Sequence, residues 1–391
     1  MKLVEVNDKK TVKEFLDFPS RLYTKQEHPN WIRPLDQDIE ATFDPKKNKN
    51  FQHGKAIRWI LQDDSGKTIG RIAAFINSKT ANTSYVKTGG MGFFECINDP
   101  KAAFMLFDAC KNWLEAEGME AMDGPINFGE RDRFWGLLVE GFTEPNYGMF
   151  YHMPYYKDLF EAYGFQVYFK QLTYWRDTRS ETLHPRFLAI AKTFTDNPDY
   201  SFKHASKKDL DKLANDFYTV YNKAWGKHAG VPEMPLAKAK AIVKSMKPVM
   251  DERLIWFMYY KDEPIAFFIM LPELNQMFKH LNGKLDLFGK LKFLWYRHKF
   301  NQSKSKKAFG VLFGVVPEHQ GKGAEAGIIM ATEEMVLKLN YSEVEMNWIG
   351  DFNPKMIGVL RTIGAKPVKT HVTYRKIFNP DIPFERYPII K

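Results

Sequence analysis

The chain has 391 residues, which is enough for two domains of ordinary size. Its hydrophobic fraction of 44% and aromatic fraction of 15% are those of a globular protein and exclude a disordered or collagen-like chain. The formal net charge of +10 suits an anionic partner such as a phosphate-bearing ligand, an acidic carrier protein, RNA or an anionic membrane surface, and it does not choose among them.

The cysteines and the lengths of the apolar segments indicate the cellular compartment. Cys96 and Cys110 both lie in apolar surroundings, which favours a reducing compartment and argues against a disulfide framework. The first ten residues lack the apolar region of a signal peptide, and no run of about 18 apolar residues occurs. We therefore expect a cytoplasmic protein without a membrane span.

Strand and helix patterns alternate along the first half of the chain. A hairpin turn is predicted at 63–66, a helix start at Asp99-Pro100, and a helix end at Gly164. The predicted strands are 2–6, 56–62, 68–77, 90–96, 120–126 and 166–176. The predicted helices are 12–23, 101–118 and 155–163.

The second half repeats this order. Its predicted strands are 201–204, 254–260, 265–271, 308–316, 342–349 and 368–377, and its predicted helices are 207–225, 324–339 and 353–363, with one more helix at 185–194. Ile57 matches Ile255 and Gly164 matches Gly364, so the repeat spans about 200 residues and indicates a duplicated domain. The order of elements predicts an α/β protein with a mixed sheet.

The loop between the strand at 308–316 and the helix from 324 is rich in glycine. The first turn of a helix has backbone N–H groups without an intrahelical partner, and its dipole adds positive charge. Gly321 and Gly323 let the backbone approach an anion, and Lys322 adds charge. These features predict a phosphate or pyrophosphate cradle, although the spacing is neither that of a P-loop nor, with Ala326, that of a dinucleotide fingerprint. The alternative is an ordinary strand-to-helix turn.

The segment Val-Val-Pro-Glu-His-Gln-Gly-Lys-Gly-Ala at 315–324 resembles the acetyl-CoA loop of the GCN5-related N-acetyltransferases (GNAT), with Glu325 where the family has Gly or Ala. A tandem GNAT-like subgroup is also resembled at 93–97, 124–128, 136–142, 154–156 and 221–225. The resemblance implies two tandem GNAT-like domains, each with a mixed, mostly antiparallel sheet flanked by helices. Residues 1–178 would form a degenerate domain without the loop, and 179–391 a domain that binds acetyl-CoA or another acyl-CoA. The implied CoA-binding residues are Val315, Val316, Gln320, Gly321, Lys322, Gly323, Ala324 and Asn353.

Amine acylation needs a held thioester, a neutral amine and a stabilised leaving thiolate. The resemblance implies a Glu base on the fourth or fifth strand, and Glu345 fits if burial raises its pKa. Its alternative is the polar face of an amphipathic strand. Leu360 stands at the family's usual acid, a Tyr, so Tyr374 is a substitute acid or else a packed aromatic. Asn353 also reads as a helix N-cap before Pro354.

Three further stretches bear on substrates. Tyr221, Asn222 and Trp225, with His228, either line the acceptor pocket that the fold implies or cap the core. The charged loop 129–133 either recognises a polar substrate or is solvated. The insertion 275–307 contains an apolar helical face with basic residues largely elsewhere, which suits a membrane surface, an acyl chain, or a lid packed on the first half. Lys304, Lys306 and Lys307 at its end predict a solvated loop.

We therefore expect an acyl-CoA-dependent N-acyltransferase that transfers an acyl group, acetyl in the first instance, to an amine of a small molecule or peptide. One alternative is acyl transfer from acyl carrier protein or aminoacyl-tRNA on the same double fold. Another is a non-catalytic ligand-binding protein. No His, Cys or Asp cluster has metal-ligand spacing, so no metal is expected, and neither is a DNA partner.

Overall fold

A computed structural model describes residues 1–179, 183, 185–225 and 233–390. The strands of this part of the chain are β1 (Lys2–Glu5), β2 (Gly54–Gln62), β3 (Thr68–Asn77), β4 (Thr88–Cys96), β5 (Ala121–Gly124), β6 (Leu137–Glu140), β7 (Gln166–Asp177), β8 (Tyr200–His204), β9 (Ile255–Tyr260), β10 (Glu263–Pro272), β11 (Lys306–Val315), β12 (Tyr341–Gly350) and β13 (Lys366–Ile377). The α-helices are α1 (Lys9–Leu22), α2 (Asp36–Phe43), α3 (Pro100–Ala116), α4 (Tyr156–Tyr163), α5 (Pro185–Thr195), α6 (Leu210–Trp225), α7 (Leu236–Met246), α8 (Asn275–Phe278), α9 (Leu287–Gln302), α10 (Ala324–Lys338) and α11 (Pro354–Thr362).

The strands form one continuous sheet in the order β1-β2-β3-β4-β5-β13-β7-β12-β11-β10-β9-β8, with β6 paired to β13 beside this path. The pairs β4–β5 and β11–β12 are parallel, and the others are antiparallel. The fold is therefore a mixed, mostly antiparallel α/β arrangement, as the element order predicted. The duplication is visible in the two parallel pairs, each connected by a helix, α3 in the first half and α10 in the second.

The last strand of each half crosses into the sheet of the other half. The strand β7, which ends the first half, pairs with β12, and β13, which ends the chain, pairs with β5. The guanidinium of Arg375 on β13 donates two hydrogen bonds to Asp123 on β5, 2.6 and 2.8 Å long, and lies over the ring of Tyr168. The exchanged strand is thus held by a buried ion pair as well as by the ladder.

Local sequence signals account for the helices. Asp99 and Asn353 each accept a hydrogen bond from a first-turn amide, and a proline follows each of them, so both predicted N-caps are confirmed. The helix predicted at 101–118 forms α3, and its apolar residues are buried in the first-half core. A second large core lies under α5, α6, α7 and α10.

Several elements escaped the sequence patterns. The sequence patterns predicted no element at the short α2 and β6 or at α7. The solvated loop predicted at Lys306 and Lys307 is wrong, because both residues belong to β11 and Lys306 is buried. Both cysteines are free and buried, in agreement with the expectation of no disulfide framework.

Candidate active site

The glycine-containing loop joins the end of β11 to the start of α10. The side chain of Gln320 folds back and donates a hydrogen bond to the carbonyl of Val315, 2.8 Å away. Among the described residues, the backbone amides of 321–325 have no hydrogen-bond acceptor. Gln320, Gly321 and Lys322 are exposed. A row of free amides at a helix start, with a lysine beside it, can bind a phosphate group.

The two glycines of this loop have different roles. A Cβ on Gly321 would meet no atom within 4 Å, whereas a Cβ on Gly323 would lie 2.2 Å from Ile190 on α5. Both residues have positive φ, 68° and 95° respectively. The sequence assigned both glycines to the approach of an anion. In the structure the open side of the loop is at Gly321, while Gly323 also allows α5 to pack against the helix start.

A gap in the sheet leads from this loop towards the centre of the molecule. The strands β11 and β12 pair in parallel from Lys306 and Tyr341 as far as Gly310 and Met346, and no pairing follows. Residues 312–315 continue to pair with β10 only, after a register shift at Val311, while β12 goes on to pair with β7. The backbone of 311–314 on the β12 side is therefore available to an extended ligand arm, while the carbonyl of Val315 is taken by Gln320.

Glu345 lies next to the start of this gap and is buried. Its carboxylate accepts hydrogen bonds from Lys369 at 2.6 Å, from Lys307 at 2.8 Å and from the amide of Asn146 at 2.8 Å. Burial alone would raise the pKa of this carboxyl, but the two ammonium groups outweigh burial and the pKa is lowered. The expected raised pKa is therefore wrong, and Glu345 is ionised at neutral pH. A part for Glu345 in catalysis stays a prediction.

A second buried carboxylate, Glu273, lies at the end of β10 in the same region. It accepts hydrogen bonds from the backbone amides of Tyr147, Asn275 and Gln276. Burial raises its pKa to about 7, a value suited to a general base. It lines a cavity of about 210 Å³ together with Lys307, Asn146 and Glu343. Sequence reasoning missed Glu273, since a carboxylate after Leu-Pro at a strand end carries no distinctive pattern.

Solved structures with the same architecture decide the fold. A tandem GNAT protein from the clavulanic acid biosynthesis pathway superposes with a TM-score of 0.53 at 11% identity, covering 97% of this chain and 99% of that one. This chain has the tandem GNAT fold. A GNAT protein from Sphaerobacter thermophilus gives a TM-score of 0.50 at 10% identity over 98% of both chains. A glucosamine N-acetyltransferase region of a fungal multi-domain β-N-acetylglucosaminidase gives 0.57 at 12% identity, covering 96% of this chain and 38% of that one.

Two curated proteins are similar in sequence over nearly their whole length. One is named bacterial ceramide synthase, from Caulobacter vibrioides, and is 28% identical over 380 residues, covering 96% of this chain and 97% of that protein. The other is protein YghO of Escherichia coli, 27% identical over 378 residues, covering 94% of this chain and 93% of that protein. No protein-family model matches the chain.

On the tandem GNAT fold, the structure does not bring Tyr374 to the glycine loop. Its ring packs on Phe160 in the first-half core, and its hydroxyl donates a hydrogen bond to Glu161, 3.0 Å away. Burial, followed by the charge of Glu161, raises the pKa of this hydroxyl. These contacts are those of the packed aromatic that was the alternative interpretation.

The three predicted acceptor residues lie on α6, close to the strand that ends in the glycine loop. Trp225 packs against Gly314 of β11, where an added Cβ would lie 3.0 Å from its ring, and Tyr221 contacts Trp225 edge-on. The amide of Asn222 exchanges two hydrogen bonds with the backbone of Met234, which occupies both of its polar atoms. His228 lies outside the described residues. Substrate contacts at these positions stay predictions.

Asn353 accepts a hydrogen bond from the amide of Met356 and so acts as the predicted N-cap, while its contact to CoA stays a prediction. Within the described residues, no three His, Cys, Asp or Glu side chains are grouped to hold a metal ion. None of the helices in that part of the chain is long and apolar enough to cross a bilayer.

Proposed function

We propose that this protein is an acyl-CoA-dependent N-acyltransferase whose second half binds the acyl donor. The observation that carries the proposal is the combination of free amides at 321–325 with the sheet gap that opens after Gly310 and Met346. The pyrophosphate would bind the amides and Lys322, and the extended arm would lie along 311–314. The tandem GNAT fold supports this assignment.

In the reaction, the neutral amine nitrogen attacks the thioester carbonyl carbon, a C–N bond forms and the C–S bond breaks. The leaving thiolate takes up the proton that the attacking nitrogen loses when it becomes an amide nitrogen. The amine must first lose a proton to a base. Two ammonium groups lower the pKa of Glu345, whereas burial raises the pKa of Glu273 to about 7, so Glu273 is the more basic carboxylate of this region. We assign the base to Glu273 and assign Glu345 the task of holding Lys307 and Lys369 in place.

The relative named bacterial ceramide synthase, which matches nearly the whole chain, supports a proposal for the acceptor class. A ceramide is the amide of a fatty acid and a long-chain amino alcohol. The similarity supports a long-chain amine as acceptor and a long acyl-CoA as donor, in place of the acetyl group expected from the loop alone.

The test is calorimetric titration with acetyl-CoA and long-chain acyl-CoA, using wild type and Gly321→Asp. Since this aspartate would face the pyrophosphate in open space, the affinity should fall at least about ten-fold. Gly66→Asp is a matched control, because Gly66 also has positive φ and open space around it but lies in a hairpin turn. Gly321→Asn separates the charge from the added side chain and should lose less affinity than Gly321→Asp.

Saturable binding that Gly321→Asp weakens and Gly66→Asp does not would support the donor site, and turnover with a long-chain amine would then support the acceptor. Wild type that binds no acyl-CoA would overturn the proposal. In that case acyl carrier protein and aminoacyl-tRNA would be tested as donors, with the salt dependence of binding as the readout for tRNA.

A further inference from the structure

The helix α9 carries an apolar face that no other part of the described chain covers. Five of the eleven exposed large apolar residues of the described chain lie on it, between 51% and 73% exposed. We call this the outer face of α9, and it consists of Leu287, Phe288, Leu291, Leu294 and Trp295. A contiguous exposed group of this kind marks a surface that binds a partner or a membrane.

The opposite face of α9 is already anchored to the protein. Phe293 packs on Phe278 with ring centroids 5.3 Å apart, and Tyr296 stacks on His280 at 3.8 Å. Phe300 is buried near Lys306, and Asp286 caps the helix start by accepting a hydrogen bond from Gly289. The lid interpretation predicted a helix packed on the first half. In the structure the packing contacts of Phe293 and Tyr296 are made to Phe278 and His280 of the second half, and the apolar stripe of α9 remains exposed.

Basic residues flank the outer face on both sides. At about 100° per residue, Lys290 falls on one side of this face and Lys292 and Lys299 on the other, while Arg297, beyond Lys290, donates a hydrogen bond to the carbonyl of Pro248. The helix contains no Asp or Glu. The ammonium of Lys299 lies 3.7 Å from the ring centre of Trp295, so its aliphatic stem borders the apolar surface. The arrangement is that of a helix lying in the interface of a bilayer, with apolar residues between two rows of cations.

We propose that the outer face of α9 binds the surface of a lipid bilayer that contains anionic headgroups. The flanking cations decide between this occupant and a second copy of the chain. In a symmetric dimer through this face, the basic rows of the two copies would be brought together and would repel each other. Anionic headgroups instead match both the apolar and the charged part of the surface. The proposal goes beyond acyl transfer and does not depend on it.

Docking would also place a cavity close to the lipid. The inner side of α9 contributes Phe293, Arg297 and Phe300 to a cavity of about 470 Å³ that Met250 and Met277 also line. Since a helix with its side chains is about 10 Å across, the cavity would lie roughly one helix diameter from the bilayer surface.

Vesicle sedimentation with the full chain tests the proposal. Wild type should bind vesicles of phosphatidylcholine with 30% phosphatidylglycerol more tightly than vesicles of pure phosphatidylcholine. Phe288→Ser/Trp295→Ser should weaken binding about 100-fold or more, since two large apolar side chains are lost from the interface. Leu188→Ser/Leu337→Ser is the matched control, because both leucines are exposed on other helices, and it should bind like wild type.

A second variant, Lys290→Gln/Lys292→Gln, tests the contribution of the lysine charges to vesicle binding. It should bind the anionic vesicles about 30-fold more weakly and bind neutral vesicles like wild type. Lys101→Gln/Lys157→Gln, which changes two exposed lysines on α3 and α4, should have little effect. Absence of binding to anionic vesicles, or equal loss in the two serine variants, would overturn the proposal. A concentration-dependent dimer in sedimentation velocity that Phe288→Ser/Trp295→Ser abolishes, without vesicle binding by wild type, would overturn it in favour of a second copy.

Discussion

Replacing Glu345 by Gln tests how much the buried carboxylate of Glu345 contributes to the stability of the folded protein. The change keeps the shape but removes the charge that Lys369 and Lys307 share at 2.6 and 2.8 Å. Lys369 is almost fully buried, so its ammonium would remain inside without a counter-charge. Breaking a buried ion pair from one side costs about 3–5 kcal/mol. We expect Glu345→Gln to lower the free energy of unfolding by this amount.

The same reasoning predicts non-additivity. In Glu345→Gln/Lys369→Met the unpaired ammonium is gone, so the double variant should be more stable than the sum of the two single changes implies, by about 2 kcal/mol. Lys55→Met is the control for an ordinary surface pair, because Lys55 and Glu117 form an exposed ion pair, and it should cost only about 0.2–1 kcal/mol.

The assay is urea unfolding followed by tryptophan fluorescence and circular dichroism, at several pH values. The pKa of Glu345 is lowered in the folded protein, so its contribution is present above the unfolded value of 4.5 and is lost as the pH falls through the folded value. The stability difference between wild type and Glu345→Gln should therefore narrow on acidification. This account would be refuted if the free energies of unfolding of Glu345→Gln and wild type differed by less than about 1 kcal/mol at pH 7. It would also be refuted if the effects of Glu345→Gln and Lys369→Met on that free energy were additive.

Two further predictions concern catalysis. Glu273→Gln should lower kcat/KM about 10²- to 10⁴-fold. Because the base must be deprotonated to act, the wild-type rate should rise with pH around 7, and this rise should be absent in Glu273→Gln. An unchanged pH profile in the variant would count against Glu273 as the base. Tyr374→Phe should leave kcat unchanged and cost about 1 kcal/mol in urea unfolding, because only the hydrogen bond to Glu161 is lost; a large fall in kcat with normal stability would restore Tyr374 as the acid.

Features that depend on residues close together in the chain could be predicted from the sequence. The caps at Asp99 and Asn353 and the strand–glycine–helix order at 308–324 depend on residues within one turn of each other, and the structure places each of them as expected. The duplication was also visible, because matching signals recur in both halves. Short elements such as β6 were missed, since four residues carry too little periodicity to stand out.

Features set by distant partners were not predictable. The polar residues around Lys307 predict a solvated side chain, but its partner Glu345 lies 38 residues further along the chain. Asn146, the third donor, lies in the other half. Alternation along Glu345's strand placed the carboxylate correctly mid-strand, but it could not reveal two buried cations, so the direction of the pKa shift was predicted wrongly.

The exchange of β7 and β13 means that neither half is a self-sufficient folding unit. A fragment ending near residue 178 would carry a strand that belongs to the other sheet and would lack β13, so the free edge of β5 would be open to pairing with other chains. Separately produced halves should accordingly be insoluble, whereas co-produced halves can interlock. The two copies of the duplicated domain therefore depend on each other. A substitution in β13, the final strand of the chain, is expected to destabilise the first half, because β13 completes its sheet.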